Sequence, residues 1–130
     1  MDKRYKILVV DDEEDNLALL YRTLRSKYDV TKAHSAIEAL EILNTQNFDC
    51  ILSDHKMPIM DGVEFLKRSY EISPDTMRLL VTAYTDAGIL IDAINYAKIY
   101  RYIKKPYSPD ELLLTVKGAL EYWQLKDDNN

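Results

Sequence analysis

Short apolar runs alternate with longer amphipathic stretches along the whole chain. Ile7-Leu8-Val9-Val10, bounded by charge, predicts a strand buried on both faces. Residues 16–27 follow as a predicted helix, with Leu17, Leu20 and Leu24 at helical spacing. A weaker strand is expected over 30–33. The helical pattern returns over 35–44 with Ala36, Leu40 and Leu43, where Ser35 is placed to cap and Glu38 stands three residues on. Cys50-Ile51-Leu52-Ser53 predicts a third strand, residues 63–70 a helix punctuated by Ser73-Pro74-Asp75, and residues 79–81 a fourth strand. Residues 86–97, with Ile89, Ile91 and Ile94 apolar, predict another helix, and the mixed run over 100–103 a fifth strand. Ser108 and Pro109 then open a last helix, with Asp110 and Glu111 suited to its positive end. Leu112, Val116, Ala119 and Trp123 share one face of it. Residues 125–130 are expected as a polar tail or the start of a linker.

Five strands alternating with five helices predict an α/β fold, a doubly wound parallel sheet covered on both faces. Alternation alone leaves the strand order open. A chain of 130 residues is long enough for one sizeable core, so a single domain over 1–130 is expected, with its core at about 5–124. The apolar share of 47% separates it from a disordered chain. No stretch approaches the roughly 20 apolar residues of a membrane span. The first residues lack the apolar region and cleavage site of a signal peptide, so the cytoplasm is the expected location and no membrane partner is expected. Cys50 is the single cysteine, which excludes an intrachain disulfide and suits a small buried core residue. The net charge of −5, with no Lys/Arg run longer than two, argues against direct nucleic-acid binding by this segment.

Sheets of this type gather ligands at the carboxyl ends of their strands. Asp11, Asp12, Glu13 and Glu14 follow the first strand, Asp54 the third, Thr82 the fourth, and Lys104, Lys105 and Pro106 the fifth. Glu13 and Glu14 read as a solvated helix start. Asp11 and Asp12 face a third carboxylate, and the repulsion is relieved by protonation, by a lysine or by a hard divalent cation. Mg²⁺ suits such a set, because it takes oxygen ligands and bridges carboxylates to phosphate. A carboxylate can also attack a phosphoryl group to give an aspartyl-phosphate, a reaction that asks mainly for alignment and neutralised oxygen charge. Lys104 should point away from Lys105 by strand alternation and lie in solvent.

Asp11-Asp12, the stretch Asp54-His55-Lys56-Met57-Pro58-Ile59-Met60-Asp61-Gly62, Thr82-Ala83 and Lys105-Pro106 together resemble the receiver domain of bacterial response regulators. The likeness covers about residues 5–124. It implies a flavodoxin-like sheet of order 2-1-3-4-5 flanked by five helices. It also implies a phospho-accepting signalling domain rather than an enzyme acting on other substrates, catalysing only its own phosphoryl transfer and dephosphorylation. Asp54 would be the phospho-acceptor. Mg²⁺ would sit on Asp12, on Asp11 through a bound water, on Asp54 and on the backbone carbonyl of Lys56. Thr82 would be the switch hydroxyl, Lys105 the phosphate-pairing lysine and Tyr102 the switch aromatic. The implied partners are a sensor histidine kinase or phosphotransfer protein, and an effector docking on the face made by the fourth helix, fifth strand and fifth helix. Crowding of Tyr84, Tyr96, Tyr100, Tyr102 and Tyr107 into that part of the sequence suits such an interface, including a homodimer.

Two positions depart from the common receiver pattern in ways that bear on rate. Lys56 and Tyr84, each two residues past a landmark, would shield the acyl phosphate from water and slow its hydrolysis. Residues 94–102 replace the Gly-Ala pair of the commonest receivers and resemble receivers attached to cyclic-di-nucleotide phosphodiesterases, cyclases or hybrid kinases. The chain suits a stand-alone regulator or the N-terminal domain of a longer protein. A phosphatase with an aspartyl-phosphate intermediate would need an acid-base Asp where Lys56 stands. A flavin or nucleotide module would need a glycine-rich loop after the first strand, which Gly62, Gly88 and Gly118 do not supply. His55 and His34 read as loop residues.

Overall fold

The computed structural model describes residues 4–83 and 86–128, the side chains of 127 and 128 excepted. The elements run β1 (Lys6–Val10), α1 (Glu14–Leu24), β2 (Asp29–Ala33), α2 (Ala36–Leu43), β3 (Cys50–Asp54), α3 (Gly62–Ile72), β4 (Met77–Thr82), α4 (Ala87–Asn95), β5 (Arg101–Lys104) and α5 (Pro109–Asp128). All pairings are parallel and the sheet order is β2-β1-β3-β4-β5. The doubly wound architecture expected from the alternation, and the strand order implied by the resemblance, are therefore those of the molecule.

Strand alternation sorts the core into two layers. Ile7, Val9, Leu52, Leu79 and Val81 face α1 and α5, packing on Leu17, Leu20, Leu112 and Val116. Leu8, Val10, Ile51 and Leu80 face the other way, toward Ala36, Phe65, Leu66 and Ala93. The central strands are buried on both faces, while the edge strands β2 and β5 are partly exposed, which is why their sequences read as weaker strands.

Helix starts follow the caps. Ser35 Oγ accepts from Glu38 N at 3.0 Å, and Glu38 Oε1 accepts from His34 N at 2.7 Å, one residue earlier than in a reciprocal capping box. Ser108 Oγ accepts from Glu111 N, as the Ser-Pro start predicts. Helix α1 begins two residues earlier than expected, at Glu14, and ends at Leu24, its last buried leucine. Helix α5 runs through 125–128, so that part of the expected polar tail is helical.

Helix α4 departs most from its sequence signature. Ile91 and Ile94 are 55% and 53% exposed, and the helix is anchored by Ala93. Gly62 is dictated by space rather than by backbone angle. Its φ is not positive, but a Cβ there would stand 2.0 Å from the Asp54 carbonyl oxygen. Glycine is required by close approach of α3 to the end of β3. The left-handed residue in this loop is instead Ile59, with φ 73°.

Candidate functional site

Sheet register brings the predicted residues together. Val10 pairs with Ser53, so Asp11 lies beside Asp54 one step further on. Asp54 pairs with Val81, which puts Thr82 next along the edge, and Thr82 pairs with Lys104. The Lys105 backbone N–H donates to the Thr82 carbonyl at 2.8 Å, and the Lys105–Pro106 peptide is cis.

One carboxylate oxygen from each of Asp11, Asp12 and Asp54 lies within 4.8 Å of the others. Lys105 Nζ donates to Asp54 Oδ1 at 2.5 Å, a charge-assisted bond between half-buried and buried partners. Asp12 is exposed, whereas Asp11 is 2% exposed, and its Oδ1 accepts from Glu13 N at 2.9 Å. Burial pushes the Asp11 carboxyl up to about 6, with Asp54 and Asp12 adding to the rise and the Glu13 N–H and Lys105 opposing it. Three crowded carboxylates, one of them partly protonated near neutrality and one held by an ammonium, are a hard-oxygen donor set of the kind Mg²⁺ takes.

The structure brings Asp11, Asp12, Asp54, Thr82 and Lys105 to one edge. Lys56 stands exposed in the loop after β3. Tyr102, on β5, is 41% exposed, with its strand neighbour Lys104 exposed as expected. Tyr84 lies outside the described residues. Cys50 is buried in the sheet, and burial raises its thiol to about 12, so it is inert.

His55 is more than the loop residue its position suggested. It is buried, its Nδ1 stands 3.4 Å from Thr82 Oγ1, its backbone N–H donates to Val81 O and its carbonyl accepts from Gly62 N. The position directly after an apolar strand was the available signal for that burial. His34 is exposed and flanked by Glu14 and Glu38 at 3.6 and 3.5 Å.

The sequence matches the response regulator receiver domain family over residues 7–117. The chain belongs to that family. It is 42% identical over 127 residues to the hydrogenase transcriptional regulatory protein HoxA of Cupriavidus necator, covering 98% of this chain and 26% of that protein. It is 35% identical over 117 residues to the transcriptional regulatory protein ZraR of Escherichia coli K12, covering 89% and 26% respectively. The chain thus spans about a quarter of the length of these relatives. Among solved structures, the signal receiver domain of an HD domain-containing protein from Pseudomonas fluorescens Pf-5 superposes with a TM-score of 0.89 at 36% identity, covering 94% of this chain and 98% of that one. A CheY-like response regulator receiver domain from Methanospirillum hungatei gives 0.91 at 30% identity, covering 95% and 99%. As a receiver domain, the protein is a phosphoryl-accepting module of two-component signalling with a regulatory role. No helix among the described residues is long and apolar enough to cross a membrane.

Proposed function

We propose that Asp54 is the phospho-acceptor of this receiver domain. The observation that carries the assignment is the placement of its carboxylate, bonded to the Lys105 ammonium and clustered with Asp11 and Asp12 at the sheet edge. A phosphohistidine on a sensor kinase or phosphotransfer protein, or a small phosphodonor, is the source. An Asp54 carboxylate oxygen attacks phosphorus, the phosphorus–nitrogen bond of the donor breaks, and the imidazole leaves with that electron pair. Lys105 holds the attacking carboxylate in place and then pairs with the new phosphoryl oxygens. Asp11, Asp12, Asp54 and the Lys56 carbonyl are the groups that would hold Mg²⁺, which when bound neutralises developing oxygen charge.

The phosphoryl group brings charge and strong acceptor oxygens into the pocket. Thr82 leaves His55 and donates to one of them, the loop after β4 follows, and Tyr102 turns inward. A 99:1 to 1:99 shift requires about 5.5 kcal/mol of differential interaction. The donor docks where a cleft of about 400 Å³ opens beside the acceptor, lined by Leu19, Pro106 and Tyr107. Output passes through the α4-β5-α5 face to an effector or to a second copy of the chain. That face carries Ile91, Ile94 and Tyr102 exposed, while Tyr96 lies toward α3. Hydrolysis of the acyl phosphate is slow, because the long Lys56 side chain, two residues past Asp54, shields it from water. A phosphorylated lifetime of seconds contradicts this. The domain works in the cytoplasm, where kinase and phosphodonors are found.

The switch is tested by beryllofluoride with Mg²⁺. Amide NMR signals of Thr82 and Tyr102 should shift in the wild type and stay fixed in Asp54→Asn. A wild-type spectrum unmoved by the mimic overturns the assignment. A solution mass unchanged by the mimic removes the second copy as the output partner.

A further inference from the structure

A second site lies at the opposite edge of the sheet from Asp54. A cleft of about 660 Å³ opens between the start of β4, the end of α3, the segment before β5 and the end of α5. Arg78 to Thr82 is four strand steps, roughly 13 Å, so the cleft is separate from the acidic pocket. Its volume falls within the range of small-molecule sites, roughly 300–1,000 Å³.

Three features of this cleft are unexpected for a chain of net charge −5. First, Arg78 is 3% exposed at the second position of a strand that is otherwise apolar or hydroxyl-bearing. Its guanidinium donates to the Ser73 and Pro74 carbonyls at 2.8 and 3.0 Å and lies 5.0 Å from the Tyr70 ring centroid. Its Nε is buried without a hydrogen-bond partner among the described residues. The carbonyls fix the group but supply no full negative charge, and the nearby Asp75 carboxylate only partly offsets the burial that disfavours its charged form.

Second, Lys98 and Lys126 also line the cleft, against one carboxylate, Asp75. Among the described residues, no ion pair joins Arg78, Lys98 or Lys126 to a carboxylate. Lys98 has φ 58°, a left-handed conformation that glycine or asparagine adopts more easily, so the chain keeps a lysine head at this lip despite its backbone. Third, the walls are aromatic. Tyr100 and Tyr122 have ring centroids 5.2 Å apart and planes tilted by 37°, and Trp123 is held by its Nε1 bond to the Asp75 carbonyl at 2.8 Å.

Three cationic heads against one carboxylate, with Lys126 Nζ already 5.7 Å from the Tyr122 ring centroid, leave an excess of positive charge beside π-surfaces, which matches a ligand that is both anionic and aromatic. A bare anion would not use the rings, and a neutral aromatic would leave the charge unanswered. We propose that this cleft binds a nucleotide, with its base against the aromatic wall and its phosphates against Lys98 and Lys126. The site does not depend on Asp54 chemistry.

Trp123 is the single tryptophan of the chain and reports directly on the cleft. The test is fluorescence titration of the whole chain, excited at the red edge of tryptophan absorption, with EDTA present to exclude metal-bridged binding at the acidic pocket. ATP should quench Trp123 saturably with half-effect below about 1 mM. Adenosine alone and pyrophosphate alone should each be at least about tenfold weaker. Lys98→Glu combined with Lys126→Glu should weaken ATP at least about tenfold, with an unchanged melting midpoint. Asp54→Asn should bind ATP as the wild type does, whether or not the wild type takes up a phosphoryl group. No saturable quenching, equal binding of pyrophosphate or adenosine, or an unaffected double variant each overturns the proposal.

Discussion

The two halves of the carboxyl edge of the sheet are built differently. On the β1–β3 side, Asp11 and Asp54 are buried, α1 docks through three buried leucines, and Gly62 lets α3 press against the Asp54 carbonyl. On the β4–β5 side, α4 is held by Ala93 while Ile91 and Ile94 face out, and the edge strand β5 is mostly exposed. A phosphoryl group delivered between them meets a fixed half and a weakly anchored half. Little buried surface would have to be given up for the second half to move, which is what a small differential interaction can drive.

The comparison breaks most readily through the packing of its fixed half. Leu20→Ala should lower unfolding free energy by about 3 kcal/mol or more in a denaturant titration, since it empties a site between α1 and the sheet. Gly62→Ala should cost about 2–3 kcal/mol, because its Cβ collides with backbone rather than with a side chain that can turn away. It should also slow phosphoryl uptake, as the displaced atoms carry Asp54.

A third test uses pH. Asp11 titrates near 6 in the fold against an ordinary 3.8, so between those values the folded state binds the extra proton. Stability of the metal-free protein should therefore fall as pH rises through that window, by on the order of 2–3 kcal/mol, and level off above it. Asp11→Asn should abolish the fall, and a pH-independent wild type would contradict the crowding of the pocket. Mg²⁺ should restore stability at the high-pH end and less so at the low end, where the proton competes. The smallest effect belongs to the weakly anchored half. Ile91→Ala and Ile94→Ala should each change stability by no more than about 0.5 kcal/mol, while amides of α4 exchange hydrogen faster than those of α1.

The acidic pocket was legible because its chemistry stands directly after apolar runs, and the end of a parallel strand is where such residues meet. Asp11, Asp54, Thr82 and Lys105 needed no more than the periodicity and the family resemblance. What escaped depends on partners distant in sequence. Ile89, Ile91 and Ile94 announce an apolar helix face, yet Ala93 is the buried residue of α4 and Ile91 and Ile94 are exposed. No residue near Gly62 announces that its missing Cβ matters, and only the approach of α3 to β3 reveals it. His55 and Arg78 gave a weaker signal, a polar group at the end of or inside an apolar strand, whose meaning came from the groups packed against it.

The central claim is that the Asp54 carboxylate accepts the phosphoryl group in a pocket completed by Asp11, Asp12 and Lys105. Intact-mass measurement after incubation with acetyl phosphate and Mg²⁺ tests it most directly. The expected result is one added phosphoryl group on the wild type and none on Asp54→Asn, with EDTA preventing the addition. Equal labelling of the variant, or an unlabelled wild type, would contradict it.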